Sequence, residues 1–485
     1  MIERLLLFPG TIDSDVPAFE NLHETISYEH VSRNVNSVAS ALSRLRELSP
    51  KLVAIHAEDT YRHWVLIMAL ASLGIASASL PLSREVIFER DLKILDPDIV
   101  ISLENIKLSK NEVLFISESW FERVFQTSET LFVESFSDPD ALVRVAVTAG
   151  VSTQPVAVGI THAQAESAIL RLMYQTVSQS KWSDSRSHLI STIGLNVLSG
   201  FLIGCSALAS GQCLLAVPPE EIGLFLAQDK PSLMVITPSQ VSSLIEMLPS
   251  TFSRLEHLNL VIVAGKLTVP LYNRIQSKVT ASVSVVYGTD DTGPLTFGNA
   301  SEFLMDDMVG KILPWVSLQL VDEKGEMVSQ GEEGIIRVRG TGVISITRGG
   351  TMHPNMRDGW FYPGDCGVMD SDSVLRLTGR IDDLATLGGE KFDLVALDET
   401  ICALSGIHDA GSFLLSIPGE ETQLCIALVC EGKSFDANIL TNAIRVKYPN
   451  LPPVFAIQVN RIPRTERGEA DRTMLRRGYE DSLSA

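Results

Sequence analysis

Several short polar segments of this chain carry side chains that can do chemistry. Tyr287, in "YGTDD", can stack on a flat ring such as adenine or simply pack against its neighbours. Asp365, in "PGD", can cap a turn, and Arg380, in "TGR", can pair with a nearby carboxylate. The mixed charges of "RTERGEADR", residues 464–472, are typical of a solvated face. Each segment alone is a weak indication of function.

The composition indicates an acidic globular chain with large cores. The 485 residues are 45% hydrophobic and 20% charged, which is enough for two or three domains. The formal net charge of -20 argues against a nucleic-acid partner, because a polyphosphate is bound through clustered Lys and Arg.

The cysteines indicate a reducing compartment. Six are present, with neither CxxC pairing nor dense spacing, so a disulfide framework or structural zinc site is not expected. The start "MIERLLLFPG" does not resemble a secretory signal. We therefore expect a cytoplasmic protein.

Two long uncharged stretches have the length of a membrane helix. They are Trp64–Leu82 and Leu189–Pro219. Both are interrupted by Gly, Ser and Pro, which is typical of a buried helix that leads into a buried parallel strand. We expect them in the core and predict no membrane span.

Apolar strand-like runs alternate with helical stretches through most of the chain. The predicted strands are "KLVAIHA", "DIVISL", "EVLFIS", "VRVAVTAG", "SLMVITP", "LNLVIVAG" and "ASVSVVYG". This alternation predicts doubly wound parallel α/β sheets. From about Val309 to Val374 short strands and turns predict a β-rich segment, and a separate α+β unit is expected after Thr378–Asp383.

Five segments, in order, resemble the motifs of the ANL superfamily of adenylate-forming enzymes, which includes acyl-CoA synthetases, peptide-synthetase adenylation domains and luciferases. They are residues 26–42, 145–162, 285–293, 359–391 and 462–477. The resemblance covers essentially the whole chain. It implies a large N-terminal adenylation-type domain, residues 1–380, with two doubly wound α/β subdomains and a β-rich subdomain. It also implies a small mobile α+β C-terminal domain, residues 381–485, that rotates about a hinge at Asp382.

The segment "VAVTAGVSTQPVAVGITH" resembles the family phosphate loop, TSGSTGxPKG, which cradles the β- and γ-phosphates of ATP. The resemblance assigns Thr148, Gly150, Ser152 and Thr153 to this loop, and Val156 replaces its lysine. The combined loss of turn glycines and lysine indicates a relaxed demand for phosphate binding. An ordinary strand-turn-strand fits this segment nearly as well.

The segment "YGTDD" resembles the family's YGxTE motif, which implies that Tyr287, Gly288 and Asp290 lie at a nucleotide. Asp290 replaces the threonine that contacts the α-phosphate, and its charge would repel ATP unless a metal lay between them. Asp291 replaces a glutamate and would be a short magnesium ligand.

Other family positions are retained. Asp365 matches the carboxylate that accepts both ribose hydroxyls, and Arg380 matches the arginine that accompanies it. ATP or an AMP-type nucleotide therefore remains a candidate cofactor, with coenzyme A or phosphopantetheine as the thiol. Asn196, Gly265 and Lys266 fall where the acyl pocket is expected, and the neighbouring residues make that pocket mostly apolar.

Glu469 occupies the position of the family's catalytic lysine, which stabilises charge on both reacting oxygens. Two unit charges about 4 Å apart interact by roughly 4 kcal/mol at an effective dielectric near 20. Charge reversal would therefore slow adenylation by several powers of ten. If the alignment slips, Lys447 or Arg467 would supply the cation instead.

Three hypotheses follow. The first is a repurposed homologue that binds an acyl, aryl or aminoacyl group, free or as a thioester or nucleotide conjugate, with impaired adenylation. The second is an active AMP-forming ligase that charges coenzyme A or a carrier protein. The third is a non-catalytic docking partner of a carrier protein or synthetase. The small-molecule partner would be a carboxylate or acyl derivative.

Overall fold

The computed structural model describes the chain except residues 1, 8, 9, 11, 12, 14, 83, 84, 128–135, 149–154, 179–186, 218–220, 229, 231, 303–307, 341, 372, 382, 383, 388, 389, 405, 416–422, 431–439, 443, 446–453, 465–469 and 485. It divides into two compact units. The first unit is Met1–Leu318 with Arg337–Pro363, and the second is Gln319–Ile336 with Gly364–Ala485. The predicted boundary after residue 380 stays a prediction.

The helices and strands follow the alternation predicted for most of the chain. The helices are α1 (Ile2–Leu7), α2 (Tyr28–Ala41), α3 (Leu45–Leu48), α4 (Thr60–Ser72), α5 (Glu85–Leu95), α6 (Glu118–Phe125), α7 (His162–Ser178), α8 (Leu198–Ala209), α9 (Ile222–Leu226), α10 (Pro238–Met247), α11 (Val269–Lys278), α12 (Leu394–Cys402) and α13 (Arg472–Ser484). The strands are β1 (Pro17–Glu20), β2 (Thr25–Ser27), β3 (Val53–His56), β4 (Ser77–Ser79), β5 (Ile99–Ser102), β6 (Glu112–Phe115), β7 (Leu142–Thr148), β8 (Val156–Thr161), β9 (His188–Ser191), β10 (Cys213–Leu215), β11 (Ser232–Ile236), β12 (Leu258–Ile262), β13 (Ser282–Thr289), β14 (Gly293–Asn299), β15 (Met308–Ile312), β16 (Val316–Val321), β17 (Glu333–Gly340), β18 (Met356–Arg357), β19 (Trp360–Phe361), β20 (Asp365–Met369), β21 (Val374–Arg380), β22 (Leu384–Leu387), β23 (Glu390–Asp393), β24 (Ile407–Leu415), β25 (Gln423–Cys430) and β26 (Val454–Gln458).

The first unit contains two sheets with parallel centres. One sheet has the strand order β6-β5-β3-β4-β7-β8 and is parallel except for the antiparallel pair β7 and β8. The other runs β2-β1-β10-β9-β11-β12-β13-β14-β15 and is parallel from β1 to β13. The predicted pair of doubly wound α/β sheets is therefore confirmed.

The helices and strands within both candidate membrane stretches pack in the core of the first unit. Residues 64–82 form most of α4 and then β4, and residues 189–219 contain most of β9 followed by α8 and β10. The rings of Trp64 on α4 and Phe201 on α8 stack with centroids 6.0 Å apart, which joins the two helices. Among the described helices, none combines the length and apolar character needed to cross a bilayer.

Local sequence explains where the helices begin. Asp59 precedes α4 and accepts a hydrogen bond from the backbone N–H of Arg62 at 2.6 Å. Thr237 and Gln240 form a reciprocal capping box at the start of α10, with Pro238 in its first turn. These caps satisfy amides that have no partner inside the helix.

The second unit combines short antiparallel strands with a small α+β layer. β20 pairs with β21 and with the first part of β17, and β22 pairs with β23. β24, β25 and β26 form a three-stranded sheet, against which α12 and α13 pack. The predicted β-rich segment and α+β unit are both present.

Candidate nucleotide and acyl site

The parallel strands of the larger sheet end at one edge, where several predicted site residues lie. Asn196 follows β9, Gly265 and Lys266 follow β12, and Tyr287 and Gly288 lie near the end of β13. Carboxyl edges of parallel sheets are the usual ligand-binding edges of α/β folds. The sheet topology therefore brings together residues that are far apart in sequence.

The backbone at this edge is closely packed. A Cβ atom added to Gly288 would lie 2.2 Å from the carbonyl oxygen of Gly293, so only glycine fits there. Tyr287 is 8% exposed, which favours the packing interpretation of its ring. Gly265 lies against Pro238, and Lys266 is exposed.

Asp290 is held by the first turn of α8. Its Oδ1 accepts a hydrogen bond from the backbone N–H of Ser199 at 3.0 Å. Val197, the residue before the helix, supplies no side-chain cap, so the aspartate takes that role from a distant part of the chain. A carboxylate is favoured at a helix N-terminus by the free amides and the helix dipole. The structure therefore fixes an anion where the resemblance expects a hydroxyl.

Asp291 faces a buried histidine that sequence reasoning missed. Its Oδ1 lies 3.5 Å from Nε2 of His353, and the two residues are 7% and 3% exposed. Nδ1 of His353 accepts a hydrogen bond from the backbone N–H of Asn355 at 3.2 Å, which puts the proton of a neutral ring on Nε2, but Nε2 and Oδ1 of Asp291 form no hydrogen bond. Oδ1 of Asp291 is therefore a buried carboxylate oxygen without a hydrogen-bond partner among the described residues, and carboxylate oxygen is a donor type that magnesium takes. The magnesium role of Asp291 stays a prediction.

An open pocket in the first unit adjoins this edge. Its empty space, counted together with the open solvent at its mouth, is about 760 Å³. Its apolar wall comes from α7, α8, β14 and the segment before β16, and includes Leu172, Leu198, Leu202, Pro294, Leu295 and Trp315. Asp290 also lines it. Asn196, Gly265 and Lys266, the residues predicted for the acyl pocket, are not among its lining residues, so the acyl pocket stays a prediction.

Two arginines add positive charge to the pocket wall. Arg171 on α7 donates to Ser167 Oγ at 2.9 Å, and burial lowers its pKa below the ordinary arginine value. Arg339 donates through Nε to the carbonyl of Gly359 at 2.9 Å and lies over the ring of Trp360, 4.3 Å from its centroid. Neither residue lies in a family motif, so the sequence carried no signal for them.

Asp365 and Arg380 form a buried ion pair in the second unit. They are the first residue of β20 and the last of β21, directly opposite each other in the antiparallel register. Nη1 of Arg380 donates to Oδ1 of Asp365 at 2.6 Å. The side chain of Arg380 is only 11% exposed and that of Asp365 only 9%. The arginine that was expected to accompany the carboxylate therefore contacts it.

The candidate phosphate loop joins two paired strands. Thr148 ends β7, is buried, and is paired with Val156 at the start of β8. Val156 packs against the main hydrophobic core, so the family's lysine position carries an apolar, core-facing side chain. Gly150, Ser152 and Thr153 lie outside the described residues.

The remaining predicted residues also lie outside the part of the chain that the structure describes. They are the hinge residue Asp382, Glu469 at the lysine position, and the two alternative cations Lys447 and Arg467. Their roles stay predictions.

Comparison with known proteins gives a consistent result. The profile described as "AMP-binding enzyme" matches residues 12–346. One of the plipastatin synthase proteins of Bacillus subtilis (strain 168) is 23% identical over 499 residues, which cover 98% of this chain and 19% of that protein. A mitochondrial medium-chain acyl-CoA ligase of Rattus norvegicus is 28% identical over 234 residues, 46% of this chain and 38% of the ligase. The chain thus spans only part of the length of these relatives.

Solved structures support the same fold. ATP-bound MatB from Rhodopseudomonas palustris superimposes with a TM-score of 0.82 at 20% identity, covering 99% of this chain and 100% of that one. The o-succinylbenzoate CoA synthetase MenE from Bacillus subtilis, in complex with its acyl-adenylate intermediate, gives 0.79 at 17% identity, with 97% of each chain covered. At these identities the likeness establishes the architecture alone.

Proposed function

The chain belongs to the AMP-binding enzyme family, and from that premise we propose that it binds an acyl, aryl or aminoacyl group but makes adenylate from ATP poorly or not at all. The observation that supports this most directly is the carboxylate of Asp290, held in place by the amide of Ser199 at 3.0 Å. The bound group is a free acid, a thioester or a nucleotide conjugate.

The position of Asp290 opposes a triphosphate for an electrostatic reason. Its hydrogen bond to a helix N-terminus stabilises the carboxylate anion. The side chain would lose this bond if it turned away from a phosphate. A phosphate about 4 Å away would be repelled by roughly 4 kcal/mol at an effective dielectric near 20. Val156 packs against the core and supplies no compensating cation.

The pocket beside Asp290 suits the organic group. Leu198, Leu202 and Leu295 provide an apolar wall, while Arg171 and Arg339 provide cations. Burial of an acyl chain or aryl ring there is favourable by about 25 cal/mol per Å² of apolar area. The ligand best matched to this lining has an apolar body and a polar or anionic group.

Nucleotide and thiol cofactors are part of the proposal. The Asp365–Arg380 pair keeps together the carboxylate and the arginine that the resemblance assigns to the ribose, which supports an AMP-type nucleotide. Coenzyme A or phosphopantetheine, on a carrier protein, is the proposed thiol. Magnesium, when bound, would screen phosphate charge, and Asp291 is the residue proposed to hold it.

The test compares two ligands by isothermal titration. One is ATP with magnesium, and the other is a panel of acyl-sulfamoyl adenosines, which mimic acyl-adenylates without the β- and γ-phosphates. We expect at least one acyl-sulfamoyl adenosine to bind at least about tenfold more tightly than ATP. Equal or tighter binding of ATP would overturn the proposal.

A matched variant separates charge from shape. Asp290→Asn keeps a carbonyl oxygen for the Ser199 amide but removes the negative charge. We expect ATP affinity to rise in this variant, while affinity for the acyl-sulfamoyl adenosine changes little. If ATP affinity stays the same or falls, Asp290 does not oppose the phosphates.

A second candidate function is an active AMP-forming carboxylate ligase. The retained Asp365–Arg380 pair favours it, because a protein that no longer handled nucleotides would have no need of a ribose carboxylate. This candidate predicts magnesium-dependent AMP release with some acid and coenzyme A. It also predicts that Glu469→Ala leaves the rate unchanged, since another cation would serve.

A further inference from the structure

Three potential metal ligands project from neighbouring strands of the larger sheet in the first unit. His188 and Cys213 are the first residues of β9 and β10 and lie directly opposite each other in the parallel register. Glu20, the last residue of β1, lies opposite Leu215. Because side chains alternate along a strand, Leu215 and Cys213 point to the same face. The register therefore places all three potential ligands on one face.

The side chains converge closely. Oε2 of Glu20 lies 2.7 Å from Nε2 of His188. One potential ligand atom from each of Glu20, His188 and Cys213 lies within 4.8 Å of the other two. His188 is 7% and Cys213 3% exposed, so these are buried donors rather than a surface cluster.

His188 provides an independent observation. Its buried Nδ1 has no hydrogen-bond partner among the described residues, although its Nε2 is bonded to Glu20. Buried polar atoms without a partner are uncommon and costly in native proteins. If the ring proton moves to Nδ1, Nε2 presents its lone pair beside Oε2 of Glu20, so a metal ion can take the place of the proton between these two atoms.

We propose that Glu20, His188 and Cys213 bind one Zn²⁺ ion. Thiolate, imidazole and carboxylate are the donors that zinc takes in proteins, whereas magnesium and calcium prefer oxygen alone. Binding forms a bond from zinc to each ligand and releases the thiol proton of Cys213 to solvent. A water molecule completes a tetrahedral set.

Lys230 fits this arrangement. Its ammonium group bonds Oε1 of Glu20 and keeps the carboxylate oriented, so that Oε2 can exchange the His188 proton for the ion. Zinc with one thiolate and one carboxylate forms a neutral group beside this lysine. The lysine side chain is 34% exposed, which gives a path from solvent to the buried ligands.

The proposed ion lies away from the candidate nucleotide and acyl site. His188 and Cys213 begin their strands, whereas the candidate nucleotide and acyl site lies at the carboxyl ends of the same parallel sheet. The ion would join β1, β9 and β10. The expectation of no structural zinc site rested on local cysteine spacing, and these ligands come from strands separated by up to 193 positions, from residue 20 to residue 213.

Cobalt substitution tests the proposal directly. The full chain is treated with a chelator, desalted and titrated with Co²⁺, which gives a thiolate charge-transfer band and strong visible bands in a tetrahedral site. We expect both bands to saturate at one equivalent and to disappear when Zn²⁺ is added. Absence of the charge-transfer band in the folded chain would overturn the proposal.

Two variants identify the thiol. Cys213→Ser should abolish the charge-transfer band, whereas Cys402→Ser, which removes an exposed cysteine elsewhere, should retain it. A band that survives Cys213→Ser, or that disappears with Cys402→Ser, would also contradict the assignment. Should Cys213→Ser fail to fold, His188→Gln provides the second test, because it should weaken Co²⁺ binding at least about tenfold and shift the visible bands.

Zinc should also stabilise the protein by mass action. At a free concentration about a hundredfold above its dissociation constant, an ion that binds only the folded state adds about 2.7 kcal/mol. We expect Zn²⁺ to raise the Tm of the wild type and of Cys402→Ser, but not that of Cys213→Ser. Equal shifts in all three would indicate binding elsewhere.

Discussion

The resemblance assigns Asp290, Val156 and Glu469 to positions that contact the phosphates in the family, so we expect their effects on ATP to be coupled. We expect the triple variant Asp290→Thr, Val156→Lys, Glu469→Lys to gain more ATP affinity than the sum of the three single variants. Sites that act on one charged group are not independent. Isothermal titration with ATP and magnesium on the five proteins measures the gain. Tight ATP binding by the wild type, with no gain in the triple variant, would mean that these residues serve a working site.

The buried His63 predicts a pH dependence of stability. Burial, with a smaller contribution from the positive Arg144, lowers its pKa to about 3, and its Nε2 contacts Ser79 Oγ at 2.6 Å. The unfolded value is about 6.5, so the unfolded state binds more protons between these two pH values. Stability from this residue is therefore fully present above about pH 6.5 and is lost as the pH falls.

The expected loss of stability follows from the difference in His63 pKa between the folded and unfolded states. Between pH 7 and pH 5 the wild type should lose about 2 kcal/mol of unfolding free energy through His63. His63→Gln lacks this group, so its unfolding free energy should fall by about 2 kcal/mol less than that of the wild type between pH 7 and pH 5. Urea denaturation at each pH measures this difference. His23→Gln, at an exposed position, is the control and should follow the wild type. Parallel curves for all three proteins would refute the assignment.

At the residue scale, sequence reasoning identified residue types and one ion pair within a motif region, but not contacts between distant parts of the chain. The ion pair of Asp365 with Arg380 was expected because the two positions belong to one motif region. The bond between Asp290 and Ser199 joins residues 91 positions apart, and no local pattern encodes it. His353 was missed for the same reason, since its contact with Asp291 depends on tertiary packing.

At the scale of elements, the loop before α8 depends on Gly200. A Cβ atom there would lie 2.1 Å from the carbonyl oxygen of Gly194. Gly200→Ala should therefore cost about 1–3 kcal/mol and weaken acyl-ligand binding, because it displaces the turn that holds Asp290. Gly223→Ala on α9 is the control, since its Cβ would meet nothing closer than 3.7 Å. Equal unfolding midpoints for the two variants would contradict this account.

Helix α13 is anchored through a buried ion pair. Nη1 of Arg472 donates to Oδ2 of Asp398 at 2.9 Å, and burial raises the pKa of this carboxyl group. Arg472→Met should destabilise the second unit by about 3 kcal/mol, because it leaves a buried charge unpaired. Arg476→Met, at an exposed position of the same helix, should change stability little. Denaturant unfolding with a probe in this unit distinguishes the two outcomes.

The elements themselves were largely predictable. Apolar runs such as "SLMVITP" and "LNLVIVAG" became β11 and β12 because continuous hydrophobicity suits a strand buried on both faces. The strand order was not predictable, since it depends on long-range pairing. The cluster of Glu20, His188 and Cys213 shows the consequence, because it exists only through the register of β1, β9 and β10.

At the scale of the whole molecule, the ordered set of motifs predicted the fold, and the family match and structural likeness confirm it. Function was harder to predict, because this chain differs from the family motifs at a few charged positions while the fold is the same. The same fold can carry an active or an impaired phosphate site, and the difference depends on a few side chains.

Exchange of radiolabelled pyrophosphate into ATP measures reversible adenylation, and therefore tests impaired adenylation most directly. The full chain is incubated with ATP, magnesium and a broad panel of carboxylic acids, and an active enzyme of the family is run in parallel. We predict no acid-dependent exchange above the no-protein blank with any acid. Brisk exchange with any single acid would contradict the account and establish an active AMP-forming ligase.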